Sequence, residues 1–124
     1  PETADRVHLL PPTPGPPYDL YRRADVFVLA SGGENFGLVA AEAASVGTAV
    51  IVSDRCGVAA SFEPGEAVVV PYDVDATVDA IARVLGDAAL RRQLEEGALR
   101  AARRSTWDAV VDEQLALYAE ALAG

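Results

Sequence analysis

Three short, almost unbroken apolar runs, at residues 26–30, 48–53 and 67–70, constrain this chain more than any other feature. None shows the period-two alternation of a strand with one wet face, so each reads as a strand buried on both faces. Between the first two, residues 37–46 have helical composition and end at Gly47, a residue suited to the left-handed position where helices stop. Strands that alternate with helices and need cover on both faces form a parallel sheet with flanking helices and right-handed crossovers. The fold class is α/β.

The remaining segments extend that frame. Residues 7–10 read as a further short strand, closed by Pro11, Pro12, Pro14, Pro16 and Pro17, and residues 18–23 as a short helix. Residues 54–65 form a loop with one helical turn, and Pro71 ends the third buried strand. From Asp75 onward, Val78, Ile81 and Leu85 recur at helical spacing until Gly86 and Asp87 break the pattern; Leu90, Leu94 and Ala98 resume it. Ser105 or Thr106 caps a last helix whose Val111, Leu115 and Tyr118 share one face.

At 124 residues with 51% hydrophobic content, the chain has room for one core and one domain. A formal charge of −9 argues against a nucleic acid or an anionic membrane surface as main partner. All ten bases are arginine, which excludes a P-loop, a Schiff-base lysine and a lysine clamp on phosphate within these residues. The arginines at 91, 92, 100, 103 and 104 read as a solvated helix face with local ion pairs, docking against a further domain being the less favoured reading. The single Cys56 permits no internal disulfide and, as a small buried residue, suits a reducing compartment. His8, the only histidine, has no partner for zinc or for a serine-type triad and reads as structural. No apolar stretch approaches the roughly 20 residues of a transmembrane segment. No basic n-region or apolar h-region follows Pro1, so the expectation is a cytoplasmic chain excised from something longer.

Ligands of open parallel sheets bind outside the carboxyl ends of the strands, which directs attention to the loop after residue 30. It carries Gly32, Gly33 and Gly37 and opens directly into a helix. Backbone N–H groups there, with the helix dipole behind them, suit a diphosphate, and glycine permits close approach. The spacing does not match the dinucleotide G-x-G-x-x-G fingerprint. Glu34 precedes the helix and Glu42 lies five residues beyond Gly37, about 7.5 Å along it, far enough to carry a carboxylate from a phosphate to a ribose. A carboxylate accepting from a vicinal diol is what sugar recognition requires. Composition alone favours Glu34 as a solvated loop acid and Glu42 as a helix-surface acid, since charged residues on loops and helix faces are ordinary.

The run Ser31-Gly32-Gly33-Glu34-Asn35-Phe36-Gly37-Leu38, then Glu42-Ala43 and Gly47-Thr48-Ala49-Val50, resembles the E-x7-E signature of retaining family 4, or group 1, glycosyltransferases of GT-B fold. Ala24-Asp25-Val26-Phe27-Val28-Leu29 resembles that family's strand into the site, and Trp107 after Ser105-Thr106 resembles its last helix start. The resemblance implies that residues 1–124 are part of a nucleotide-sugar-binding domain, the Rossmann-like second half of a GT-B C-terminal domain from its third strand to its last helices. It implies transfer of a hexosyl-type sugar to an acceptor with retained configuration, the leaving phosphate assisting and no metal or other cofactor required. Glu34 would be the catalytic-site carboxylate on the sugar hydroxyls and Glu42 the ribose ligand. The amides of Asn35, Phe36, Gly37 and Leu38 would hold sugar and diphosphate.

Departures from the family pattern are equally specific. Ala30 stands where the family has proline. Cys56-Gly57-Val58-Ala59-Ala60 resembles its Gly-Gly-x-x-Glu loop with the first glycine and the acid replaced, which leaves Gly33, Cys56 and Gly57 as donor-pocket loop residues. The family's basic pair for the departing diphosphate and its acceptor site, on an N-terminal domain, lie outside this sequence, so the chain alone is expected to be inactive. In the family's strand order, residues 7–10 and 26–30 are separated by two strands that this chain lacks. The expectation is that the first strand re-pairs across that gap or that a second copy covers it as a dimer. A non-catalytic α/β nucleotide-binding or interaction module is the alternative.

Overall fold

The computed structural model describes residues 4–124 as an α/β unit around a three-stranded parallel sheet. In chain order, α1 (Tyr18–Arg23) leads to β1 (Phe27–Leu29), α2 (Leu38–Ser45) and β2 (Val50–Ser53). A 3-10 turn (Gly57–Ser61) precedes β3 (Val68–Val70), and α3 (Val74–Gly86), α4 (Ala88–Arg104) and α5 (Trp107–Ala123) complete the chain. The strands lie in the order β1-β2-β3, with Val28 opposite Ile51 and Val52 opposite Val69.

The side-chain alternation of β2 divides the core in two. Val50 and Val52 point to one face, where Tyr21 and the small residues Ala40, Ala43, Ala44 and Ala98 let α2 and α4 close on the sheet. Ile51 points to the other face, packing with Val70, Ala80, Val84 and Leu94. Helix limits follow the expected chemistry. Gly47 takes φ +80°, the Asp73 carboxylate accepts from Ala76 N (2.8 Å), Asp87 from Ala89 N and Leu90 N (both 3.0 Å), and Thr106 Oγ1 from Ala109 N (3.3 Å).

Three expectations are corrected: the strand at residues 7–10, its re-pairing across the gap, and the burial of all three apolar strands on both faces. Residues 7–10 form no strand: Leu9 is 94% exposed, and His8 sits on the same irregular, exposed segment. The connection that would return this segment to the sheet holds five prolines and only the six-residue α1, too little for a covering crossover, so re-pairing across the gap does not occur. Only β2 is buried throughout; of the two strands with one neighbour each, β1 is half-buried and β3 runs from half-buried Val68 through exposed Val69 to buried Val70. On α3 the inward residues are Ala80 and Val84, while Val78 and Leu85 are exposed. The stripe Val111, Leu115 and Tyr118 exists on α5, but that helix buries no residue among those described.

Candidate functional site

The carboxyl end of β1 meets the amino end of α2 through a loop whose course is fixed by close packing. A β-carbon on Gly32 would stand 2.9 Å from Cζ of Tyr72, so the loop crosses close over the tyrosine ring. Gly37 adopts φ +90° with Leu29 Cδ2 2.9 Å from where its β-carbon would be, which turns the chain sharply into α2.

The same loop is stitched to the one that follows β2. Glu34 N donates to Arg55 O (3.4 Å), Gly57 N to Glu34 O (3.2 Å) and Val58 N to Phe36 O (2.6 Å). The Ser53 hydroxyl donates to Ser31 O (2.6 Å) and accepts from Arg55 N (3.1 Å), tying the two strand ends together. Gly57 is obligatory in this arrangement, because a β-carbon there would lie 2.0 Å from Asn35 O. Cys56 is buried, its Sγ 4.0 Å from the carbonyls of Leu29 and Ser31. Its thiol faces the core, its N–H donates to Ser53 O (3.1 Å) and its carbonyl accepts from Ala59 N (3.0 Å), so the expected place of Cys56 on the donor-pocket loop is corrected: it is a buried support of that loop.

Among the described residues, the amides of Asn35, Phe36, Gly37 and Leu38 donate no hydrogen bond within the chain. They surround the N-terminus of an eight-residue helix, where the dipole is positive and N–H groups lack intrahelical partners. Glu34 and Gly33 are exposed on the loop; Glu42, on α2, is half-buried. The Tyr21 hydroxyl donates to Glu42 Oε2 at 3.3 Å. Burial, then the neighbouring carboxylate charge, pushes the Tyr21 phenol above its ordinary value, so it stays a donor.

Two features here had no clear signal in the sequence. The Arg55 guanidinium lies 4.9 Å from the centroid of the Tyr72 ring, placing a cation at the carboxyl end of β2; its position after a strand was the only hint. The hydroxyl of Tyr21 reaches Glu42 across 21 residues of sequence, while its ring packs in the core. A groove of about 370 Å³ lined by Ala30, Tyr72, Val74 and Val78 flanks the loop on the α3 side, and an apolar cavity of about 100 Å³ lies behind α2 beside Phe36 and Phe62. Neither includes Glu34 or Glu42.

At its strand ends the parallel sheet carries a glycine-turned helix N-terminus, the four amides named above and the carboxylates of Glu34 and Glu42. Residues 2–101 match the family model for glycosyl transferases group 1, and this chain belongs to that family. It is 40% identical over 122 residues to D-inositol 3-phosphate glycosyltransferase of Salinispora tropica, covering 96% of this chain and 25% of that protein. The counterpart of the same description from Thermomonospora curvata is 39% identical over 121 residues, 93% of this chain and 27% of the relative. Among solved structures, sucrose-phosphate synthase from Thermosynechococcus elongatus superposes with a TM-score of 0.70 at 36% identity, over 84% of this chain and 27% of that one. The C-terminal domain of a group 1 family glycosyl transferase from Francisella tularensis gives 0.63 at 25% identity, over 69% and 45% of the two chains. This chain therefore spans about a quarter of the length of these curated relatives.

Proposed function

We propose that this chain is the donor-binding part of a retaining glycosyltransferase that takes a nucleotide-diphosphate sugar and transfers a hexosyl-type group. The diphosphate sits on the amides of Asn35, Phe36, Gly37 and Leu38, the ribose diol donates to Glu42, and Glu34 accepts from hydroxyls of the transferred sugar. Gly33 and Gly57, both exposed, line the approach. The single observation that carries this reading is the set of four unpartnered amides at the Gly37 turn, with a half-buried carboxylate five residues along the same helix. Family membership supports glycosyl transfer as the chemistry. No step of the reading uses a metal or a covalent protein nucleophile; the leaving phosphate assists on the face of attack. The acceptor is held outside these residues, so the chain alone binds donor without turnover, in the cytoplasm. The free edge of β1 supports self-association of the isolated chain as a dimer.

The test is an amide NMR titration with UDP, GDP and ADP. Saturable shifts centred on residues 33–39 and Glu42 with one nucleotide are expected and would name the base. Saturable binding that leaves those amides unmoved, or no binding of any of the three, would overturn the assignment.

A further inference from the structure

The ring of Tyr21 is held from three directions while its hydroxyl remains available. It packs edge-to-face on Phe27 of β1 (centroids 5.5 Å apart, 87°) and against Tyr18 (6.3 Å, 80°), and it is buried in the core beside α2. Its carbonyl accepts from Thr48 Oγ1 at 2.6 Å, which fixes the end of α1 to the start of the segment entering β2. From that mount the phenol donates to Oε2 of Glu42. Among the described residues the other Glu42 oxygen, Oε1, accepts no hydrogen bond, and no arginine pairs with the carboxylate.

We infer that Tyr21 is a positioning residue for Glu42: it holds one carboxylate oxygen so that the other is presented to a ligand diol. This rests on Glu42 being the ribose ligand proposed above. A glutamate side chain free to rotate must be ordered when ligand binds, and a donor already in place on the protein side removes part of that cost. A buried tyrosine is suited to the task because it is neutral. It orients the carboxylate without neutralising it, as an arginine would, and leaves the charge to strengthen hydrogen bonds from the diol. The hydroxyl also lies on α1, so the short helix after the proline-rich segment gains a part in ligand binding without touching ligand.

The experiment compares wild type, Tyr21→Phe, Glu42→Gln and the double variant by titration with whichever of UDP, GDP and ADP binds tightest, and with its 2′,3′-dideoxy counterpart. Phenylalanine keeps the ring packing, and an unchanged circular dichroism spectrum would verify the fold. The expected result is a loss of about 3- to 10-fold in affinity for the ribonucleotide in Tyr21→Phe, the worth of one hydrogen bond. The dideoxy nucleotide should bind Tyr21→Phe and wild type alike, and the double variant should bind no more weakly than Glu42→Gln. Equal ribonucleotide affinity in Tyr21→Phe and wild type, with Glu42→Gln weakened, would overturn the inference and leave the donor-site reading standing. So would a Tyr21→Phe loss that persists with the dideoxy nucleotide or in the Glu42→Gln background. Wild-type affinity in Glu42→Gln would instead overturn the ribose assignment itself, and the inference with it.

Discussion

Arg104, in the last turn of α4, grips Glu66 across 38 residues of sequence: Nη1 and Nη2 donate to Oε1 and Oε2 in a bidentate pair. Glu66 is 2% exposed and also accepts from Glu63 N (2.9 Å), while Nη2 reaches Ser61 O (3.3 Å). A buried carboxylate needs such partners, because ionising it unpaired in the interior would be costly. The pair fastens the segment between the 3-10 turn and β3 to the helix that backs the sheet.

The Arg104 hydrogen bonds hold the Glu66 carboxyl below its ordinary value, against the opposing effect of burial. A depressed carboxylate contributes stability that is fully present above its unfolded pKa, about 4.3, and is lost as pH falls through the folded value. Glu66→Gln should therefore lower Tm at pH 7 by at least about 4 °C, and the gap to wild type should narrow below about pH 4.3. Thermal melts from pH 7 to pH 3 check this; a gap that widens on acidification would contradict it.

Gly57 and Gly33 make opposite predictions although both lie in the loops around the site. Gly57→Ala drives a β-carbon into Asn35 O and should cost on the order of 1–3 kcal/mol in urea denaturation, with the 34–36 segment displaced. Gly33 has nothing within 4 Å of its would-be β-carbon, so Gly33→Ala should leave the urea midpoint unchanged. If donor approaches this loop closely, the same variant should lose nucleotide affinity at unchanged stability.

Asp87 both ends α3 and caps α4, accepting from two successive amides. Asp87→Ala should cost about 1 kcal/mol and Asp87→Asn much less, read from equilibrium unfolding.

Gly97 is the point where α4 touches the Gly65 carbonyl; a β-carbon there would stand 2.2 Å from that oxygen. Gly97→Ala should destabilise by about 1–3 kcal/mol, whereas Gly86→Ala, in open space at the end of α3, should stabilise by up to about 1 kcal/mol. Denaturation midpoints moving in opposite directions are the expected readout.

Local rules were readable and long-range ones were not. The glycine stop at 47, the Thr106 cap and the fully buried β2 follow from residues within a turn or two of each other. The edge status of β1 and β3 does not, because an apolar run states a preference for burial and says nothing about which strands are present to supply it. Residues 7–10 show the limit directly, since they carry a strand's composition and pair with no strand among the described residues. Of the candidate site, the loop and both carboxylates stood out in the sequence. Glu66 did not: a glutamate after Pro64-Gly65 has every appearance of a surface residue until Arg104 is brought to it. The arginines of α4 were accordingly expected to be solvated; Arg91 does pair locally with Glu95 at 3.9 Å, and Arg104 does not follow that pattern.

The cross-loop bonds of Glu34, Gly57 and Val58 make the two strand-end loops one cooperative unit. Their amides should exchange with solvent through a single shared opening, slow or fast together. A ligand that grips only residues 35–38 would then slow exchange at Gly57 and Val58, which it never touches. Changes in the second loop would in turn tune the lifetime of the bound state from outside the contact surface.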